Sequence, residues 1–181
     1  MKVVTTDIPG VLVLEPRVFP DERGFFLESY SARTWHEATG LDTVFVQDNH
    51  SRSVRGVVRG LHYQLEAIQG KLVRVVRGEI YDVALDVRRG SPTCGRWTAV
   101  RLSEENRRQL WLPEGFAHAF MALSETADVL YKTTDHYAPG HERCIAWDDP
   151  DLAIDWPLSA ASVVSEKDRR AVPWREAELL P

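Results

Sequence analysis

The chain has 181 residues, with 22 Lys and Arg against 27 Asp and Glu and a formal net charge of −5. That length supports one domain with a core of its own, and a composition 44% hydrophobic and 27% charged excludes disorder. An acidic balance without a basic block excludes a general nucleic-acid binder, and no apolar run nears the ~20 residues of a membrane span.

Short apolar runs broken by turn residues predict an all-β chain. At the N-terminus, MKVVTTDIPG is interrupted by polar residues and Pro9 before any apolar core forms, so it is not a secretory signal. Strands are expected at VLVLE (11–15) and FFLESY (25–30). A helix follows, with Ser31 as N-cap, the run ARTWHEAT, and Gly40 as its stop. Next come VFVQ (44–47), VVRGLHYQ (57–64), KLVRVVR (71–77) and EIYDVALDV (79–87). In the last of these, Tyr81, Val83, Leu85 and Val87 share one face while Asp82 and Asp86 share the other. The series continues with GRWTAVRL (95–102), RQLWLP (108–113), AHAFMAL (117–123), ADVLYKTTD (127–135) and RCIAW (143–147). A second short helix begins at Ser165 and runs through 166–170. Strands at this spacing predict a sandwich or barrel. No repeat or linker divides the chain, so one domain over 1–181 is expected, its less regular C-terminal stretch from DPDLAIDWP onward packed outside the barrel. Cys94 and Cys144 lack CxxC spacing and fit a reducing, cytoplasmic compartment.

Pro113, Gly115 and His118 form a PxGxxH turn entering a strand, and His62-Tyr63-Gln64 precedes Lys71 and Gly78. Together these are similar to the two halves of a cupin metal motif, with one histidine replaced by Gln64 and a lysine nearest the expected glutamate. An ammonium beside a divalent cation is unfavourable, so the metal set is dismantled and no metal is expected. A buried Lys71 can instead stabilise an oxyanion, which points to enolate chemistry. His62 is the natural general base. Tyr131, as a protonated phenol, can return the proton from the opposite face, and base and acid on opposite faces invert a stereocentre. Taken singly, His62 also fits a hydrogen-bonded core histidine, His118 a structural turn residue and Asp168 a solvated helix residue.

The segments FPDERGFFLESY (19–30), FVQDNHS (45–51), RGLHYQ (59–64), QGKLVRVVRG (69–78), LPEGFAHAF (112–120), YKTTDHYAPGHE (131–142) and SEKD (165–168) closely resemble the dTDP-4-dehydrorhamnose 3,5-epimerases. The resemblance implies an all-β, cupin-like jelly-roll barrel with a few short peripheral helices. It implies a cytoplasmic homodimer that exchanges N-terminal strands and needs no metal or organic cofactor. Its substrate would be a dTDP-sugar, inverted at C3 and C5 on the way to dTDP-L-rhamnose for cell-surface polysaccharide. Carried onto this sequence, His62 is the base in a dyad with Asp168, Tyr131 the proton donor and Lys71 the enolate stabiliser. Arg23 and Arg59 would bind the diphosphate; Glu28, Gln47, Asn49, His118, Glu142 and Lys167 would contact substrate. Phe26 and Tyr137 would stack on thymine or sugar, with Arg23, Phe26 and Glu28 serving the partner's site. Alternatives are an epimerase acting at C3 or C5 alone, a catalytically silent sugar-nucleotide-binding cupin, and a metal-dependent cupin. Since Arg59 and His62 fall on opposite faces of a regular strand, a bulge is expected at Gly60.

Overall fold

The computed structural model describes residues 1–158 and 163–181. In chain order the strands are β1 (Lys2–Thr5), β2 (Leu12–Glu15), β3 (Val18–Asp21), β4 (Gly24–Leu27), β5 (Gln47–Val54), β6 (Val57–Gln64) and β7 (Lys71–Arg77). They continue as β8 (Glu79–Asp86), β9 (Trp97–Ser103), β10 (Gln109–Leu112), β11 (Phe116–Ala122), β12 (Thr126–Thr133), β13 (Glu142–Cys144) and β14 (Val163–Val164). Helix α1 (Ala32–Thr39) follows β4, and α2 (Glu166–Arg169) follows β14.

One sheet runs β1-β2-β10-β7-β12-β5. The other runs β13-β6-β11-β8-β9, with β14 pairing parallel to β6 beside β13. The expected all-β jelly roll forms, its two sheets keeping separate hydrogen-bond ladders. Its interior is a cluster drawn from both: Val73 and Val75 of β7, Leu110 and Leu112 of β10, Val129 of β12, Ile80 and Ala84 of β8, Phe116 and Phe120 of β11. The alternation of β8 explains the layering. Ile80 and Ala84 face the interior, whereas Val83, Leu85 and Val87 face outward into a second cluster with Leu61. Leu152, Ile154 and Leu180 of the C-terminal stretch cover that outer face. The buried Asp149 carboxylate ties this segment down by accepting from the backbone N–H of Leu152 and Trp174. On the opposite flank, α1 begins at Ser31, whose side chain caps the Thr34 amide, and ends at Gly40 with φ +73°. Its Trp35 is buried against Trp111 and Phe45.

Several elements depart from expectation, among them β3 and β14, where no strand was expected. The strand placed at 44–47 lies instead at β5, because Gln47, Asn49, Ser51 and Ser53 turn inward while Asp48, His50, Arg52 and Val54 face solvent. A polar stripe facing inward carries no apolar run to detect. The strand placed at 25–30 is shorter, Gly24–Leu27, and among the described residues it pairs only with β3, in a two-stranded hairpin. The edge strand β1, mostly exposed, follows the same logic: its residues bury too little to leave a pattern.

The bulge at Gly60 is present. Between His118 and Phe120 of β11 the partner residues on β6 step from His62 to Arg59, two positions against three. Gly60 takes φ +119°, and a Cβ there would stand 2.4 Å from the His118 carbonyl oxygen and 2.5 Å from the Ala119 Cβ. Gly60→Ala is therefore expected to lower stability by about 1–3 kcal/mol. Urea unfolding checks this; a loss below about 0.5 kcal/mol would contradict the close approach.

Candidate active site

A cavity of about 590 Å³ opens between the sheets beside α2. β6 contributes Arg59 and His62, which a regular strand would send to opposite faces; the bulge at Gly60 lets both reach it. From the facing sheet come Lys71 at the start of β7, Tyr131 on β12, and Gln47 and Asn49 on β5. The short α2 is capped by Ser165, whose side chain accepts from the Asp168 amide, and it presents Lys167 and Asp168 to the cavity.

His62 Nε2 lies 2.6 Å from Asp168 Oδ1. Burial of Asp168 favours its neutral form, but the hydrogen bond and charge of His62, with further bonds from Ser165 and Cys144, prevail and hold the carboxyl below its usual range. An ionised Asp168 can only accept. The network therefore assigns the proton to Nε2 and leaves the Nδ1 lone pair free to act as a base.

Lys71 is 7% exposed, and among the described residues its Nζ makes one long hydrogen bond, 3.4 Å to the Gln69 carbonyl. Desolvation pushes its ammonium down to about 8, with Glu142 and Glu114 pulling weakly the other way. A cation with so little company is available to a developing oxyanion. Burial also raises the Tyr131 phenol, against the opposing influence of Arg59, so it stays protonated at neutral pH. The His62 imidazole and the Tyr131 phenol thus come from opposite sheets.

The rim is polar. Glu142 accepts from Tyr137 Oη at 2.8 Å and Lys167 Nζ at 2.6 Å. The Tyr137 amide donates to Gln47 Oε1 at 3.1 Å, and Gln47 Nε2 to Asn49 Oδ1 at 2.9 Å. Arg59 is anchored by Ser53 Oγ at 3.0 Å and the Arg52 carbonyl at 3.2 Å, leaving donors for an anion. Gln64, which stands in place of a cupin histidine, has both ends engaged. Its Nε2 donates to the Ala67 and His136 carbonyls and its Oε1 accepts from the Ala138 amide, which pins the loop carrying Tyr137.

The cavity thus gathers His62, Lys71, Tyr131 and Asp168, together with Gln47, Asn49, Arg59, His118, Tyr137, Glu142 and Lys167. Arg23, Phe26 and Glu28 are not among its walls. They sit on or beside the β3–β4 hairpin, where Phe26 is 70% exposed and Arg23 pairs with Asp21. Two participants escaped the sequence reading as site residues. Asp82 is wholly buried and hydrogen-bonded through Oδ1 to His118 Nε2, fixing that ring, while its Oδ2 lacks a partner among the described residues. Burial raises its carboxyl, with His118 opposing. Its only signal was a carboxylate on the same face of β8 as Ile80 and Ala84. Cys144 pairs in register with His62, and its thiol donates to Asp168 Oδ1 at 3.5 Å.

Comparison with known proteins accords with this geometry. The family model described as dTDP-4-dehydrorhamnose 3,5-epimerase matches residues 5–176. A dTDP-4-dehydrorhamnose 3,5-epimerase of Pseudomonas aeruginosa is 60% identical over 181 residues, covering 100% of both chains. One from Methanothermobacter thermautotrophicus is 54% identical, covering 97% of this chain and 95% of its own. The crystal structure of dTDP-6-deoxy-D-glucose-3,5-epimerase from Legionella pneumophila, in complex with dTDP-4-keto-L-rhamnose, superposes with a TM-score of 0.96 at 49% identity, covering 99% of this chain and 97% of that one. By descent as well as by fold, this chain belongs to the dTDP-4-dehydrorhamnose 3,5-epimerase family.

Proposed function

We propose that the protein converts dTDP-4-dehydro-6-deoxy-D-glucose to dTDP-4-dehydro-L-rhamnose, and that His62, Asp168, Lys71 and Tyr131 perform the chemistry. The observation that carries this reading is a buried ammonium, Lys71, in one cavity with an ion-paired histidine base. The substrate's C4 ketone acidifies the C–H bonds at both C3 and C5. His62 removes one proton through Nδ1, Asp168 stabilises the resulting imidazolium, and Lys71 stabilises the enolate oxygen. Tyr131 then protonates the carbon from the other sheet's side, which inverts it. That turnover leaves an imidazolium and a phenolate, and proton exchange with solvent restores both before the second inversion.

The same reading extends to binding and assembly. Arg59 takes the diphosphate, and Gln47, Asn49, His118, Tyr137, Glu142 and Lys167 hold sugar and base. A hairpin that pairs only with itself and exposes Phe19, Phe25 and Phe26 supports a homodimer in which β3–β4 carries Arg23, Phe26 and Glu28 to the partner's cavity. Free Cys94 and Cys144 accord with a cytoplasmic setting, and no helix among the described residues is long and apolar enough to cross a membrane. The product would feed synthesis of a rhamnose-containing surface polysaccharide such as an O antigen.

NMR of the substrate with the protein in D₂O tests the reaction. Deuterium at both C3 and C5 is expected; incorporation at one carbon would make the protein a monoepimerase, and none would refute the enzymatic reading. Tyr131→Phe separates the two half-steps. We expect it to retain exchange of substrate protons, since base and cation remain, while inversion falls by about 10²-fold or more. Equal loss of exchange and inversion would remove Tyr131 as the proton donor.

A further inference from the structure

The base dyad is also approached from behind. Cys144 pairs in register with His62 across β13 and β6, and a His62 ring nitrogen, Cys144 Sγ and an Asp168 carboxylate oxygen all lie within 4.8 Å of one another. A second cavity of about 430 Å³ is lined by Cys144, Lys167, Arg170 and Val172. Cys144 borders this cavity and not the larger one, whereas His62 and Asp168 border the larger one and not this. The two share Glu142 and Lys167 as a common wall. Cys144 thus borders a cavity other than the substrate site.

We propose that His62, Cys144 and Asp168 form a binding site for a soft divalent cation of the zinc class, and that its occupation switches the epimerase off. The donor set is chemically apt, since imidazole, thiolate and carboxylate are the three side-chain ligands of zinc. With Zn–N and Zn–O near 2.0–2.2 Å and Zn–S near 2.3 Å, tetrahedral donors stand about 3.3–3.8 Å apart. Cys144 Sγ and Asp168 Oδ1 are already at 3.5 Å, while His62 Nε2 and Asp168 Oδ1, at 2.6 Å, must open by less than an ångström. Water completes the fourth position. The sulfur selects against Mg²⁺, the hard ion that accompanies nucleotide diphosphates. On binding, the Cys144 thiol releases its proton to solvent and the imidazole proton shifts from Nε2 to Nδ1. One proton therefore leaves per ion, and the lone pair that would attack the substrate C–H is lost. The metal is an inhibitor, with no part in the reaction.

Titration with Co²⁺ in the absence of substrate tests the site on the whole protein. One equivalent is expected to produce a thiolate-to-cobalt charge-transfer band, abolished in Cys144→Ala, retained in Cys94→Ala, and displaced by Zn²⁺. Should Cys144→Ala fail to fold, Cys144→Ser removes the same sulfur. At saturating Zn²⁺, turnover of the unsubstituted protein should fall by about 100-fold or more and that of the Cys144 variant by less than about twofold, each against its own metal-free rate. Absence of the band, or its persistence without Cys144, overturns the site. The switch rests on His62 acting as the base, so a band without inhibition overturns both the switch and that assignment and leaves the site standing.

Discussion

His62→Ala is expected to lower kcat by about 10²–10⁴-fold and to abolish deuterium uptake from D₂O at both carbons together. The coupling of the two carbons is the sharper part. Among the described residues, His62 is the cavity's only histidine held by a carboxylate that itself lines the cavity; the Asp82 partner of His118 does not. If one base serves C3 and C5, its removal cannot spare either. Residual exchange at a single carbon would require a second base. The partner can be dissected separately. Asp168→Asn keeps the shape but removes the charge opposite the imidazolium that forms on proton abstraction. A charge-assisted hydrogen bond of this kind contributes about 1.5–3 kcal/mol, so kcat should fall about 10–100-fold, less than for loss of the ring itself. The substrate proton leaves with the imidazole, so the loss should appear in kcat and kcat/KM alike, with little change in KM. A loss confined to KM would make Asp168 a binding residue.

What could be read before the fold was known follows from where each side chain buries its surface. Strands such as β7 and β8 have an apolar face in the core, and alternation exposed them directly. β5 was misplaced because its inward residues Gln47, Asn49 and Ser51 line the cavity, and a strand shaped for a polar ligand lacks the apolar stripe that marks strands elsewhere. In the β3–β4 hairpin, β3 was missed and β4 drawn too long for a related reason: Phe19, Phe25 and Phe26 are exposed, so the hairpin buries no apolar face in this chain's own core. The bulge at Gly60 was legible from chemistry, because Arg59 and His62 can meet one ligand only if the strand is interrupted between them. Asp82 and Cys144 were not legible as site residues. Each joins the site through residues distant in sequence, Asp82 through His118 36 positions away and Cys144 through Asp168 24 positions away and its strand partner His62, and nothing local in the sequence announces such contacts.

Lys71→Met should lose activity and gain stability. Removing one preorganised group from an oxyanion typically costs about 10²–10³ in kcat. The proposed enolate would give Lys71 a comparable task, so a loss of that size is expected. The thermodynamic consequence has the opposite sign. Lys71 falls from its ordinary 10.5 to about 8 on burial, so the folded state binds its proton less tightly than the unfolded chain does. Stability due to this group is therefore lowest below pH 8 and recovers as pH rises from about 8 towards 10.5. The cost at neutral pH is on the order of 3 kcal/mol. An apolar side chain of similar length does not incur it, so Tm should rise in Lys71→Met while turnover collapses, as expected where function requires a buried charge. The pH profile supplies an independent check. Because kcat/KM reports the free enzyme, it should decline above about pH 8 as the ammonium is lost. The corresponding limb in kcat should lie higher, since a bound anionic substrate favours the charged lysine. In Lys71→Met the alkaline limb near pH 8 should vanish from the residual rate. If it persists there, or if the variant is less stable than the parent at neutral pH, Lys71 is not the buried cation on which the proposed enolate depends.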